Sequence, residues 1–258
     1  MLSIIPIPAF ADNYIWLLQS GTNAVVVDPG DAAPVIAHFE REGLELCAIL
    51  TTHHHNDHVG GNRALLARWP VPVFGPARET IPGRTHGLVE GDAIAVPGVG
   101  LSLSVLDIPG HTAGHIAYVA RHADAPLVFC GDTLFAVGCG RLFEGTPPQM
   151  VASLSKLAAL PGATRVYCGH EYTLANLRFA RAVEPANALL EKRQATEQDK
   201  RSRGEPTLPS TIGEERATNP FLRAGEPAVR AAAERHARRP LPDPIAVFAE
   251  IRAWKNAF

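Results

Sequence analysis

The sequence predicts a mixed α/β layered domain over roughly residues 1–170, followed by a helical region over 171–258. Three observations carry this. Short apolar runs ending at Gly, Pro or Asp punctuate the first 170 residues. Several of those runs lead into a polar residue, namely Asp28, His53, His111, Asp132 and His170. After residue 170 the texture changes to Ala, Leu, Arg and Glu at helical spacing. Short apolar runs bounded by turn residues are the mark of buried strands, which need covering layers.

In order, the expected strands begin with the N-terminal stretch "MLSIIPIPAFADNY", whose apolar run is interrupted by Pro6 and Pro8 and which lacks a basic start. It therefore reads as a first strand rather than a signal peptide. Then come "NYIWLLQS", "AVVVDPG", "LCAILTTH", "VPVFGP", "LSLSVLDIPGH", "IAYVA", "PLVFCGD" and "RVYCGH". Helices are expected between some of them, at 33–41, 60–69 and 148–159. The second region reads as helices on either side of a loop near "GEPTLPS", and the charged stretch "EKRQATEQDKRSRG" as a solvated helix face.

Composition narrows the function classes. With 46% hydrophobic and 19% charged residues, the 258-residue chain has the makeup of a soluble globular protein. Net charge is −2, so nothing draws it to nucleic acid or to an anionic membrane. No run approaches the ~18 apolar residues of a membrane span. The charge is uneven: residues 1–170 hold 9 Lys/Arg against 14 Asp/Glu, and residues 171–258 hold 15 against 12. That suggests an acidic, metal-holding first part and a second part able to receive an anion. Cys47, Cys130, Cys139 and Cys168 show no paired spacing. They are expected as free thiols in a reducing cytoplasm.

Chemistry concentrates in "THHHNDHVGG" at 52–61. If the strand stays extended to its end, His53 and His55 share a face and His54 opposes them. Asp57 and His58 follow, where Gly60 and Gly61 suggest a turn into a helix. This can send His53 and His55 to one metal and Asp57 and His58 to a neighbouring one, leaving His54 a supporting part. Further candidate ligands are His111 and His115 in "IPGHTAGH", Asp132 in "FCGDTLF" and His170 in "YCGHEYT". Any one of them could cap a turn, but the set is hard to produce as packing. Imidazole and carboxylate suit Zn, Fe or Mn.

These motifs resemble the metallo-β-lactamase superfamily, which implies an αββα sandwich with a smaller C-terminal α-helical domain here. The resemblance implies that His53, His55 and His111 hold a first divalent metal, that Asp57, His58 and His170 hold a second, and that Asp132 bridges them. His115 falls outside the pattern and is expected to be structural. Such a pair lowers the pKa of a shared water, and no Ser or Cys nucleophile is needed. Asp57 is expected to orient the resulting hydroxide.

The segments "PAFADNYIWLL", "DPGD", "FAVGCGRLFEGTPPQM", "YCGHEYTLANLRFA" and "TNPFLR" are similar to the hydroxyacylglutathione hydrolase (glyoxalase II) family over nearly the whole chain. That similarity implies hydrolysis of S-D-lactoylglutathione to glutathione and D-lactate, by attack of the metal-bridging hydroxide, as the second step of methylglyoxal detoxification. It implies a monomer whose partner is this small molecule. It also implies that Arg141, Arg252 and Lys255 meet the glycine-end carboxylate, with Tyr172 adding a hydroxyl. In "IRAWKN", Arg252 and Lys255 stand three apart on one helical face. Arg141 stands where a lysine often occurs and keeps the charge. Phe143 stands where a tyrosine can occur and has no hydroxyl, a loss of about 0.5–1.5 kcal/mol for one ordinary hydrogen bond. Cys139 reads as a small packed residue.

Competing readings explain less. Persulfide dioxygenases share much of the motif but use one iron and oxygen, and they leave the helical region, Tyr172 and the Arg252/Lys255 pair without a part. A lactonase or β-lactamase accounts for the metals but not for "GCGRLFEGT" or the C-terminal cations. A nuclease would need a basic stripe with interleaved aromatics, which is absent from the sequence.

Overall fold

A computed structural model describes residues 2–121 and 125–258, so Met1, at the head of the expected first strand, lies outside them. Chain order runs β1 (Ser3–Ala9), β2 (Asn13–Ser20), β3 (Asn23–Val27), α1 (Ala32–Glu42), β4 (Glu45–Leu50), α2 (Asn56–Val59), α3 (Asn62–Arg68), β5 (Val73–Pro76) and β6 (His86–Leu88). It continues through β7 (Ala93–Val96), β8 (Leu101–Asp107), β9 (Ile116–Ala120), β10 (Leu127–Gly131), the hairpin β11 (Leu134–Phe135) and β12 (Gly138–Cys139), α4 (Pro147–Ala158) and β13 (Arg165–Cys168). The remainder is α5 (Thr173–Val183), α6 (Ala188–Ser202), β14 (Ser210–Thr211), α7 (Ile212–Thr218), α8 (Pro227–Ala237) and α9 (Pro244–Ala257).

Two six-stranded sheets form, in the orders β1-β2-β3-β4-β5-β6 and β14-β13-β10-β9-β8-β7. The alternation in β8 shows why they face each other. Leu101, Leu103 and Val105 are buried, while Ser102 and Ser104 are exposed. Trp16, Leu18, Val27 and Leu50 of the first sheet share one core with Val105, Tyr118 and Val128 of the second. The first sheet's other face, with Ile15, Leu17, Val26 and Ile49, packs on Val35 and Phe39 of α1 and Leu65 of α3. On the second sheet's side, α4 contributes Met150, Leu154 and Leu157 to the shared core. The result is the expected αββα sandwich.

The helices start where their caps dictate. Asp31 accepts the Ala33 amide at 2.9 Å, Thr146 and Gln149 form a capping box at α4, and Asp243 accepts the Ala246 amide at 2.8 Å.

Three expectations need correction. The strand expected to run to residue 52 ends at Leu50, so His53 and His55 converge through a bend rather than by strand alternation. The helix expected over 60–69 is the shorter α3, Asn62–Arg68, and a separate turn, α2, precedes it at Asn56–Val59; between them Gly61 is pressed against the 29–32 backbone, where a Cβ would lie 2.6 Å from the Pro29 carbonyl oxygen. The region after 170 is not wholly helical. Its β14 pairs antiparallel with β13, Arg165 opposite Thr211, and adds an edge strand to the second sheet.

Candidate metal centre and adjoining cavity

The polar ends of β3, β4, β10 and β13, with the loop after β8, meet at one edge of the sandwich. Nε2 of His53 lies 3.2 Å from Nδ1 of His55, and Nε2 of His111 lies 3.0 Å from that same Nδ1. Asp57, His58 and His170 form a second triad, with Asp57 Oδ2 3.5 Å from His58 Nε2 and 3.4 Å from His170 Nε2. Asp132 stands between the triads. One of its oxygens is 3.3 Å from His58 Nε2, and the other is 3.4 Å from His111 and 3.3 Å from His170.

Each of four imidazoles is anchored on its outward nitrogen. His53 Nδ1 meets Thr52 Oγ1 at 3.0 Å, and His58 Nδ1 meets Asp28 Oδ2 at 3.1 Å. His111 Nδ1 meets the Arg141 carbonyl at 2.9 Å, and His170 Nδ1 meets Asp12 Oδ1 at 2.8 Å. Asp28 also accepts the Thr52 amide and hydroxyl, both at 2.7 Å. Anchoring one nitrogen aims the other inward, as metal-ligating histidines require. Asn13 donates to Asp57 Oδ2 at 3.1 Å and holds that carboxylate over the cluster.

The donors fit divalent cations. His58 Nε2 and Asp132 Oδ1 are buried without a hydrogen-bond partner, although they stand at an ion-pair distance of 3.3 Å. Buried polar atoms are seldom left so. Proton affinities agree. Burial alone would lower His58, but Asp132, Asp28 and Asp57 hold its pKa well above the ordinary value. Burial opposes His170 too, yet Asp132 and Asp57 push it up to about 10. Burial would raise Asp132, but His58 and His170 hold it well below the carboxylate range. In this arrangement protons stand in for cations, and metal binding must release them.

His115 stacks on His53 at 4.6 Å between ring centroids, and its Nε2 accepts the Asp132 amide at 3.1 Å. It supports Asp132 and stays out of the cluster, as expected. His54 turns away to Glu79 at 2.9 Å and Glu144 at 3.3 Å.

A cavity of about 510 Å³ opens over the cluster. His55, Asp57, His111, Asp132 and His170 line it on the metal side. Arg141, Phe143, Tyr172, Arg252 and Lys255, all anticipated, line it elsewhere. Tyr172 stacks on His170 with centroids 4.7 Å apart. Phe143 is exposed, its ring centroid 5.3 Å from that of His111. Lys255 lies 5.1 Å over the Phe179 ring with no ion pair among the described residues. Burial first, then Arg252 and the neighbouring arginines, lower its pKa to about 8. Arg252 is more committed than expected. It is buried and donates to the Cys139 carbonyl at 2.7 Å and to Asn256 at 3.2 Å. Cys139 is packed and free, its thiol pKa raised by burial.

Asp12, Asn13 and Thr52 escaped the sequence reading, and Asp28 was singled out there without a role. "PAFADNY" and "DPGD" carry three of these residues, but nothing local to those segments points at a histidine.

The chain matches the metallo-beta-lactamase superfamily over residues 10–170 and the hydroxyacylglutathione hydrolase C-terminus over residues 171–258. It is 62% identical to a hydroxyacylglutathione hydrolase of Alkalilimnicola ehrlichii over 99% of each chain, and 58% identical to one of Cupriavidus taiwanensis over the whole of each. The chain belongs to the hydroxyacylglutathione hydrolase family. Among solved structures, ETHE1 from Myxococcus xanthus is similar with a TM-score of 0.65 and 25% identity, over 100% of this chain and 99% of that one. The two matched segments meet between His170 and Glu171, inside the site: His170 faces the cluster, and Tyr172, two residues on, faces the cavity.

Proposed function

We propose that the chain hydrolyses S-(2-hydroxyacyl)glutathione thioesters, S-D-lactoylglutathione in particular, to glutathione and D-lactate, the second step of methylglyoxal detoxification. The observation that supports this most is a single cavity lined by members of both triads and by Asp132 and, elsewhere, by Arg141, Arg252 and Lys255, which have no carboxylate partner among the described residues. In this reading residues 1–170 form the metal unit and residues 171–258 the helical unit that binds the glutathione part. His53, His55 and His111 hold one divalent ion, Asp57, His58 and His170 the other, and Asp132 is shared. The ions, Zn2+ in first place with Fe or Mn as alternatives, supply Lewis acidity toward the thioester carbonyl and water ionised at neutral pH.

The chain's own residues do the rest. Arg141, Arg252 and Lys255 meet the glycine-end carboxylate, and Arg252 is also tied to the wall by its bond to the Cys139 carbonyl. Tyr172 offers its hydroxyl along the backbone of the tripeptide. Asp57, held by Asn13, orients the attacking oxygen. Water adds to the carbonyl carbon, the C–S bond breaks, and the proton ends on the thiol. A thiol of pKa ~8.5 leaves without a strong acid, so none is required. A cytoplasmic monomer fits this role. The four cysteines are free, and no helix among the described residues is long and apolar enough to cross a membrane.

The deciding assay follows thiol release from S-D-lactoylglutathione, with elemental analysis of the same preparation. Two metals per chain and turnover are expected, with no oxygen consumption on glutathione persulfide. Asp132→Ala is expected to lose metal and to fall further than the ~10–100-fold typical of an outer supporting residue. Full activity with both metals retained would refute the assignment.

A further inference from the structure

The hairpin β11–β12 carries the cavity wall between Asp132 and Arg141. Its two-residue turn is Ala136–Val137, and Val137 has φ = +57°. Glycine ordinarily fills such a position, and a β-branched residue there is a true outlier. Four polar backbone groups at the tip are met by side chains from the region after 170. Asn219 donates to the Phe135 carbonyl at 3.2 Å and to the Gly138 carbonyl at 2.9 Å. Asn176 donates to the Ala136 carbonyl at 2.9 Å. The Val137 amide donates to Glu215 Oε2 at 2.8 Å. Glu215 is fully buried, and its other oxygen accepts from Arg193 at 2.7 Å. The Val137 side chain is buried among Leu177, Ala180 and Leu190 of α5 and α6.

The consequences reach the site through the hairpin's two arms. One arm leads back to Asp132. The other places the Cys139 carbonyl that receives Arg252 and the Arg141 carbonyl that receives His111. We propose that Glu215 is a positioning residue: its buried carboxylate, neutralised by Arg193, holds Val137 in the left-handed region and so sets the wall that presents Arg141 and Arg252 to the glutathione part of the substrate. The proposal rests on the thioesterase reading. Backbone strain of this kind persists where surrounding contacts over-determine it, and here the contacts come from the C-terminal region.

Glu215→Gln tests it. A glutamine oxygen can accept the Val137 amide only by turning its own amide toward Arg193, donor against donor, so one contact fails. Below the melting temperature, with folding checked by circular dichroism, E215Q is expected to raise KM about tenfold, the effect of losing one hydrogen bond to a charged group. The dissociation constant of S-methylglutathione for the metal-free protein should rise in parallel. V137G alone should stay within about twofold of the parent. E215Q/V137G should return to the V137G value, because glycine needs no help at φ = +57°. A role confined to fold stability predicts the reverse, since V137G removes a buried side chain.

Unchanged KM and binding in folded E215Q, or a double variant worse than the product of the two single effects, overturns the proposal. If E215Q does not fold, the double variant decides: recovered folding and binding support the clamp, and an unfolded double variant overturns it. Should the parent protein itself leave the thioester intact, the functional reading falls, and the clamp is judged by hydrogen exchange. A Val137 amide that exchanges slowly in the parent and about tenfold faster in E215Q supports it, and fast exchange in the parent sinks it.

Discussion

Lys255 shows how one residue's surroundings set a measurable response. Burial and the nearby Arg252, Arg178 and Arg141 lower its pKa to about 8, against ~10.4 for a free lysine. Below pH 8 it is mostly charged and able to meet a carboxylate, so KM for the thioester should rise by up to about fivefold between pH 8 and pH 9. Lys255→Met should start from a higher KM and show a flatter profile; an unaltered profile would remove Lys255 from the binding wall. Stability moves the other way. Between the folded and unfolded pKa values the unfolded chain binds more protons, so this lysine's contribution to stability increases as pH rises through that window. At this scale the cluster residues at 53–58 were legible because their spacing is local. Asp12 was not: it reaches His170 across 158 positions, and no short-range pattern encodes that contact.

Secondary-structure elements place these side chains through close backbone approach. Gly169, just after β13, has no room for a methyl group; a Cβ would lie 2.6 Å from His58 Cε1 and 2.7 Å from Asp132 Oδ1. Gly169→Ala should therefore lower metal content and turnover together while leaving the far-ultraviolet circular dichroism unchanged. Metal content equal to that of the parent would show that the strand end can yield. Long, strongly patterned strands such as β2 and β8 were evident from sequence, because both faces or alternate faces are apolar. The two-residue strands β11, β12 and β14 were not, since such short pairings hold no period and exist through their partners. The charged stretch on α6 was read as a solvated helix face, yet Arg193 and Glu197 turn inward. Arg193 does so because Glu215 supplies a buried partner.

Taken whole, the molecule has no packing boundary at residue 170. One core joins Trp16 and Phe129 to Phe179, Phe221 and Phe248, and β14 crosses from the helical region into the second sheet. The metal-free protein is thus expected to unfold in a single calorimetric transition with equal calorimetric and van't Hoff enthalpies. Two resolved transitions would mean that the regions fold independently. By itself the sequence determined the layered class, the kinds of ligand and the presence of late cations, because period, residue chemistry and charge are properties of neighbours along a chain. The tertiary structure alone decided which carboxylates brace the histidines, that Arg252 is tied to the Cys139 carbonyl, and that a glutamate from α7 holds a turn of the cavity wall. Those contacts join residues tens to more than a hundred positions apart, and only packing brings them within hydrogen-bond reach.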